Sequence, residues 1–564
     1  MNVVEQGRQI WTARRAYQSG QLGTAHAIAV DLLSYDPRNL DALELKALAE
    51  IDRGDDAAAE QTLRTAVSCA RGQGWPYAGL SELLRRNGRL PEAEAVSRAA
   101  LAANPNDADA HEKLGELLAM RMKAHDAAAH FRRAIALAGR EPQLLTRLGH
   151  ALLRLGRLDE AREPLETAAT QPNAYEAIVY LSELEERVGR FEAAVELLDR
   201  AEKIPRAPGS SLARQRSVLL ARMGRHDEAL ALLEDSPDLS GAAQLQRGRL
   251  RERAGRHAEA WSDWTIAKER LGQVPGRQYP AEVVRALAQR LAAFFASPEA
   301  AALPRAERRD DVPQPIFIAG SPRSGTTLTE RILASHSAVE AGGELPFGTE
   351  LQELAVSLAG GEWTFPAGLL RAEAGWADKL RDLYLDRARE FGLFESGARY
   401  FTDKMPSNDF WLPLLRLAFP QSAIILVRRH PLDVLTSIMA HEMTHGFYSA
   451  YRLEDAARHF ALSDWLVDQY SAAGFGPTFN LRYETLVANQ AEETERLTAA
   501  VGLEMEPEQL NFHERGAVPA TPSYEQVRQP LNDRSIGNWR NHAAEFEPVL
   551  PLLAEAMARG GYTH

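Results

Sequence analysis

Gly20, Gly54, Gly88, Met122 and Gly156 recur every 34 residues, and Gly189, Gly224 and Gly255 continue the series with small slips. Five positions after each mark stands an alanine: Ala25, Ala59, Ala93, Ala127, Ala161, Ala194, Ala229 and Ala260. Several units add a proline 16 or 17 residues past the mark, Pro37, Pro105 and Pro172. Each feature has a physical reading. Glycine turns the chain between two amphipathic helices, alanine lets the two helices approach closely, and proline ends the second helix. A unit of this kind cannot bury its apolar face alone. Neighbouring units must therefore stack, which predicts a helical superhelix with a concave groove.

The period and segments such as GRLPEAEAVSRAAL and GRLDEAREPLETAA resemble the tetratricopeptide repeat (TPR). About eight units are expected over residues 1–272. The groove of such an array is the place where a peptide or protein would dock, while its many Arg and Glu residues read as solvated helix faces. The lone Cys69 sits among apolar residues and reads as packing. The repeat is gone beyond Pro275, and residues 273–312 read as a linker with one helix, Ala281 to Phe295. Its last part, PEAAALPRAERRDDVPQP, is rich in charge, Ala and Pro.

From residue 313 to 564 the pattern changes to apolar runs of strand length separated by helical patterns. The expected strands are Pro315–Ala319, Tyr400–Thr402, Ala423–Val427 and Phe479–Tyr483. Such alternation predicts an α/β domain with a central parallel sheet. In sheets of this kind ligands bind beyond the carboxyl ends of the strands. The first strand runs into Gly320-Ser-Pro-Arg-Ser-Gly325-Thr-Thr and then a helix. A glycine turn that leads into a helix N-terminus is an anion cradle, because its N–H groups and the helix dipole face one spot. The Gly320-x4-Gly325 spacing is that of the phosphate-binding P-loop, but Thr326 stands where that motif has Lys. An anion other than ordinary ATP is expected. Polar residues mark the other strand ends: Gly342-Gly343-Glu344 after the first helix, Asp403-Lys404, Arg428-Arg429-His430 with Ser437 on the next helix, and Tyr483-Glu484. Arg323, Glu344, Lys404 and Arg429 should converge on one crevice.

The run FIAGSPRSGTTLTERILASHSAVEAGGE resembles the 5′-phosphosulfate loop of the sulfotransferases, particularly their tyrosylprotein branch. ILVRRHPLDVLTS is similar to their 3′-phosphate motif, and the resemblance extends over roughly residues 313 to 545. A TPR array joined to such a domain is similar to the bacterial TPR-sulfotransferases. The resemblance implies 3′-phosphoadenosine-5′-phosphosulfate (PAPS) as co-substrate, with Arg323, Ser324, Gly325, Thr326 and Thr327 around the 5′-phosphosulfate. It further implies Glu344 as catalytic base, Lys404 at the bridging oxygen, Arg429 and Ser437 at the 3′-phosphate, and Tyr483 near the nucleotide. SYEQVRQPLNDRSIGNW resembles the late loop that closes over the cofactor, with Ser523 and Gln526 in matching places. There the family's late lysine is replaced by Asn538, with Arg540 close by as a substitute contact. The cysteine pairs and membrane anchor of the secretory-pathway enzymes have no counterpart here.

Two features set limits. The formal charge of −13 argues against a general nucleic-acid binder. His441-Glu442-Met443-Thr444-His445 matches the helical zinc-protease pattern HExxH. It continues the helix that bears Ser437 and has no evident third ligand, so no metal site is assigned. A single cysteine, a polar start at Met1–Gly20 and no long apolar run lead to the expectation of a cytoplasmic protein without a membrane span. The reading is therefore a PAPS-dependent sulfotransferase acting on an acceptor hydroxyl, foremost a tyrosine of a docked peptide or protein. A small phenol, a glycan or a lipid is the alternative acceptor. A P-loop kinase and a repeat scaffold with an inactive C-terminal domain stand as competing classes, and a homodimer is left open.

Overall fold

The computed structural model of the chain describes residues 3–70, 72–121, 123–205, 211–236, 239–273, 278–443, 447–514 and 529–563. The chain divides into two compact units, Met1–Arg206 and Ala207–His564.

The first unit is built of helical hairpins, from Val3–Gln18 to Phe191–Glu202. Gly20, Gly54, Gly88, Gly156 and Gly189 all have positive φ, between 74° and 86°, as the turn at each mark requires. Met122 lies outside the described residues. The alanine five residues after each mark is fully buried in every unit, from Ala25 to Ala194. Contact between the paired helices is close: a Cβ on Gly149 would fall 2.5 Å from the Leu165 side chain. In the 34-residue period the alanines are thus fixed by packing and the glycines at the marks by backbone conformation.

The hairpins continue into the second unit with Ala213–Arg222 and His226–Glu234, then α1 (Gly241–Arg253) and α2 (His257–Gly272). Leu245, Trp261 and Trp264 of this last pair share one core with Leu435, Ile438, Trp539 and Phe546. The helix Ala281–Phe295 follows, as expected, and buries Ala288, Leu291 and Phe295 in the largest core. The charged stretch after it is not a free tether. Leu303 and Ala306 are buried, the Ala306 N–H donates to the Leu417 carbonyl at 2.8 Å, and the Glu307 carbonyl accepts from Arg381. Two apolar residues among the charges suffice to lay it on the fold.

Among the described residues the sheet has five parallel strands in the order β2-β3-β1-β4-β5, where β1 is Gln314–Ala319, β2 Val339–Glu340, β3 Tyr400–Asp403, β4 Ile424–Arg428 and β5 Phe479–Arg482. The central strand β1 is buried along its whole length, as a strand covered on both faces should be. Only the two-residue β2 escapes the sequence pattern, being too short to show a period. The helix after β1, α3 (Thr326–Ala334), is buried at every position. The helix after β4, α4 (Pro431–Ala440), carries Ser437. With all strands parallel, the residues that follow β1, β3, β4 and β5 emerge on one edge.

Candidate active site

The turn after β1 is held by steric necessity. A Cβ on Gly320 would lie 2.5 Å from the Val427 carbonyl oxygen, and one on Gly325 2.6 Å from the Tyr483 ring. Gly325 also has φ of +107°, and Arg323 between them has φ of +69°. Arg323 is the one non-glycine residue with positive φ among the described residues, and strain of this kind gathers where a loop must present its groups to a ligand. α3 begins directly at Thr326, so its N-terminus faces the loop.

A cleft of about 630 Å³ opens before this loop, lined by Arg323, Thr326, Thr327, Glu344, Arg429 and Tyr483. The repeat helix α1 contributes Arg249 and Glu252 to the same wall. Burial, followed by the neighbouring charges of Arg429 and Arg249, pushes the Arg323 guanidinium down to about 10. Like charges gathered against their own repulsion prepare the cleft for an anion.

Glu344 and Lys404 meet at the end of β3, where the ammonium donates to the carboxylate at 2.5 Å. Gly342 makes this possible, since a Cβ there would stand 2.1 Å from the Thr402 carbonyl oxygen. The loop therefore lies against β3, and the Lys404 N–H donates to the Gly343 carbonyl at 2.8 Å. Glu330 of α3, which sequence reasoning missed, braces the arrangement. Its Oε1 accepts from the Gly343 N–H at 2.9 Å and from the Thr402 hydroxyl at 2.8 Å. An acidic residue in an otherwise buried helix was the available signal.

At the end of β4, Arg429 donates to the Arg323 carbonyl at 3.0 Å and also to the Ser535 carbonyl. Its guanidinium lies 4.7 Å from the Tyr483 ring centre, and the Tyr483 hydroxyl is 2.8 Å from Ser535 Oγ. Arg429 Nε is buried with no hydrogen-bond partner. Arg323 Nε donates to Ser437 Oγ at 2.8 Å, which ties the first loop to α4. The late segment is anchored by Asp433, also missed, whose carboxylate accepts from the Gly537 N–H at 2.7 Å and the Trp539 N–H at 3.1 Å.

Not every residue implied by the resemblance lines the cleft, and Lys404 and Ser437 reach it only through Glu344 and Arg323. Ser324 is buried behind the loop beside Gly320, its hydroxyl without a partner. Arg540 is exposed and lies over Trp539, at 5.1 Å, while Asn538 and Arg534 line the cleft instead. Ser523 and Gln526 fall outside the described residues. So does His445 of the HExxH pattern, and the other histidine, His441, donates from Nδ1 to the Ser437 carbonyl at 2.8 Å. Burial and the charges of Arg323 and Arg249 hold His441 well below its usual range, so it is neutral. A different group, Glu252, His257 and His542, brings three possible metal ligands together at the cleft rim. Its spacings, 2.9 Å from Glu252 to His257 and 3.1 Å to His542, are those of direct polar contacts between a carboxylate and two imidazoles.

Residues 315–507 match the profile of the sulfotransferase family. Residues 12–76, 74–117, 122–176 and 146–211 match tetratricopeptide repeats. The chain thus joins a segment that matches tetratricopeptide repeats to a segment that matches the sulfotransferase family. It is 30% identical over 255 residues to an uncharacterised protein of Aquifex aeolicus, covering 44% of this chain and 33% of that one. It is 26% identical over 259 residues to a putative protein-tyrosine sulfotransferase of Caenorhabditis briggsae, covering 43% and 88%. Protein-tyrosine sulfotransferase 2 of Gallus gallus is 25% identical over 270 residues, covering 44% and 69%. The chain therefore spans only a third of the length of the Aquifex relative. Among solved structures, a tetratricopeptide repeat protein of Parabacteroides merdae aligns with a TM-score of 0.38 at 19% identity, covering 44% of this chain and 96% of that one. Among the described residues no helix is long and apolar enough to cross a membrane.

Proposed function

We propose that the cleft binds PAPS and transfers its sulfuryl group to an acceptor hydroxyl. The observation that carries this reading is the buried Lys404, held by Glu344 of the cleft wall, in a site whose P-loop-like turn lacks the P-loop lysine. A cation supplied from β3 instead of the loop suits a sulfuryl donor, whose transferring group bears less charge than a γ-phosphate. The residues present fit such a ligand. Arg323, Arg429 and the α3 N-terminus gather positive charge, and the buried Nε of Arg429 has an unused donor.

In the proposed step, the acceptor oxygen forms a bond to sulfur as the bond from sulfur to the 5′-phosphate oxygen breaks. Glu344 takes the acceptor's proton, and Lys404 turns from Glu344 to stabilise the charge left on that oxygen. Positioning and charge stabilisation supply most of the acceleration, as in phosphoryl transfer. Tyrosine in a peptide or protein is the proposed acceptor, on the strength of the two named relatives, with the repeats as the docking surface.

Calorimetry with 3′-phosphoadenosine-5′-phosphate (PAP) against ATP with magnesium tests the cofactor assignment. Preferential PAP binding, lost in Arg429→Ala, is expected. Preference for ATP with magnesium would return the site to the kinase class.

A further inference from the structure

One lysine lies under the site and touches neither cleft nor solvent. Lys268 on α2 is fully buried and donates from Nζ to the His441 carbonyl at 2.6 Å. His441 is the residue at which α4 ends, in extended conformation. The last carbonyls of a helix have no partner within it and form its negative end, so a donor there has both a hydrogen bond and a dipole to satisfy. Arg249 on α1 supplies a second donor, to the Ala440 carbonyl at 3.1 Å. His441 in turn donates from Nδ1 to the Ser437 carbonyl at 2.8 Å, and Ser437 Oγ accepts from Arg323 Nε at 2.8 Å. A continuous series of contacts thus runs from the last repeat to the anion loop: Lys268, His441, Ser437, Arg323.

We propose that Lys268 is a positioning residue for the anion-binding pair Arg323 and Ser437, so that the last repeat is a working part of the nucleotide site. The proposal rests on the reading of that site as a PAP and PAPS site. A buried amine is costly unless its donors are met by hydrogen bonds, and the His441 carbonyl meets one here. The amine fixes the final turn of α4 and, through the ring of His441, the height at which Ser437 meets Arg323. Burial, opposed by Glu442 and reinforced by Arg249, brings the Lys268 amine down to about 7, so the hydrogen bond to His441 and not a fixed charge is what holds α4. Neither charged neighbour replaces the bond to His441.

The test is a double-mutant cycle on the full chain, with PAP affinity measured by calorimetry for wild type, Lys268→Met, Ser437→Ala and the double variant. Lys268→Met should weaken PAP binding about tenfold, the loss typical of a buried hydrogen bond. It should raise KM for PAPS with kcat at saturation changed less than about twofold. In the Ser437→Ala background the same substitution should cost little more, because both act through one contact. If Lys268→Met fails to fold by circular dichroism, Lys268→Gln takes its place, with a loss of roughly threefold and the same non-additivity. Wild-type affinity in the Lys268 variant, or losses that multiply in full, overturns the proposal alone. A wild-type chain that does not bind PAP overturns the site reading and this proposal together.

Discussion

Lys404 and Glu344 come from opposite sides of β3 in sequence, sixty positions apart, and their side chains meet at 2.5 Å. The lysine is almost wholly buried, and the glutamate is partly exposed to the cleft. In this arrangement each holds the other: the base is engaged until the ammonium finds a better anion. A nucleotide that draws Lys404 away would free Glu344 at the moment a proton must be removed. Glu344→Gln should therefore lower kcat by about 10² to 10⁴ with PAP affinity within a few-fold of wild type. Steady-state kinetics alongside calorimetry checks both halves.

Gly325 touches Tyr483, and Tyr483 carries the Arg429 guanidinium on its face. Gly325→Ala places a methyl group 2.6 Å from the ring in a backbone conformation that side chains avoid. The ring and Arg429 must shift together. PAP affinity should fall by tenfold or more, roughly the effect of losing one charge-assisted contact, while the circular dichroism spectrum stays that of the wild type.

Asp433 should prove as important to the late segment as any residue that faces the cleft. Asp433→Ala strands the Gly537 and Trp539 N–H groups, two hydrogen bonds to a charged acceptor. A loss of about 2–4 kcal/mol in unfolding free energy is expected, measured by denaturant titration, together with weaker PAP binding. Retained stability would mean that the segment is held elsewhere.

Acid should loosen the same region from the repeat side. Burial raises the Glu252 carboxyl, but hydrogen bonds from His542 and His257 outweigh it and bring the group down from 4.5 to about 2. A carboxylate depressed in the folded state adds stability above pH 4.5 that is lost as pH falls toward 2. The denaturation midpoint should drop across that window, and Glu252→Gln should flatten the drop. An unchanged slope in the variant would show that this carboxylate is not the group responsible.

The sequence pattern was richest where periodicity or sterics left few options. Eight alanines in register and a glycine loop after an apolar run are visible without coordinates, and so are four of the five strands. Residues that brace the site were not. Glu330, Asp433 and Lys268 sit on ordinary helical patterns, and what distinguishes each is a partner far away in the chain. The residues read as a linker are a related case: their composition is that of a tether, but Leu303 and Ala306 bind it to the fold. The end of the repeats follows the same logic. The repeat pattern runs on to residue 272, while Trp261 and Trp264 pack against Trp539 and Phe546. A chain beginning at residue 207 should therefore unfold cooperatively, and one beginning at residue 273 should aggregate or lose PAP binding. Equal PAP affinity in both would contradict that packing role.

The most direct measurement follows sulfur. The full chain is incubated with sulfur-labelled PAPS and tyrosine-containing peptides, and PAP release is counted against labelled peptide. Transfer with one PAP formed per label, abolished by Lys404→Ala, is the predicted result. Undiminished transfer in that variant, or no transfer from PAPS while ATP with magnesium binds and phosphorylates the same peptides, would contradict it.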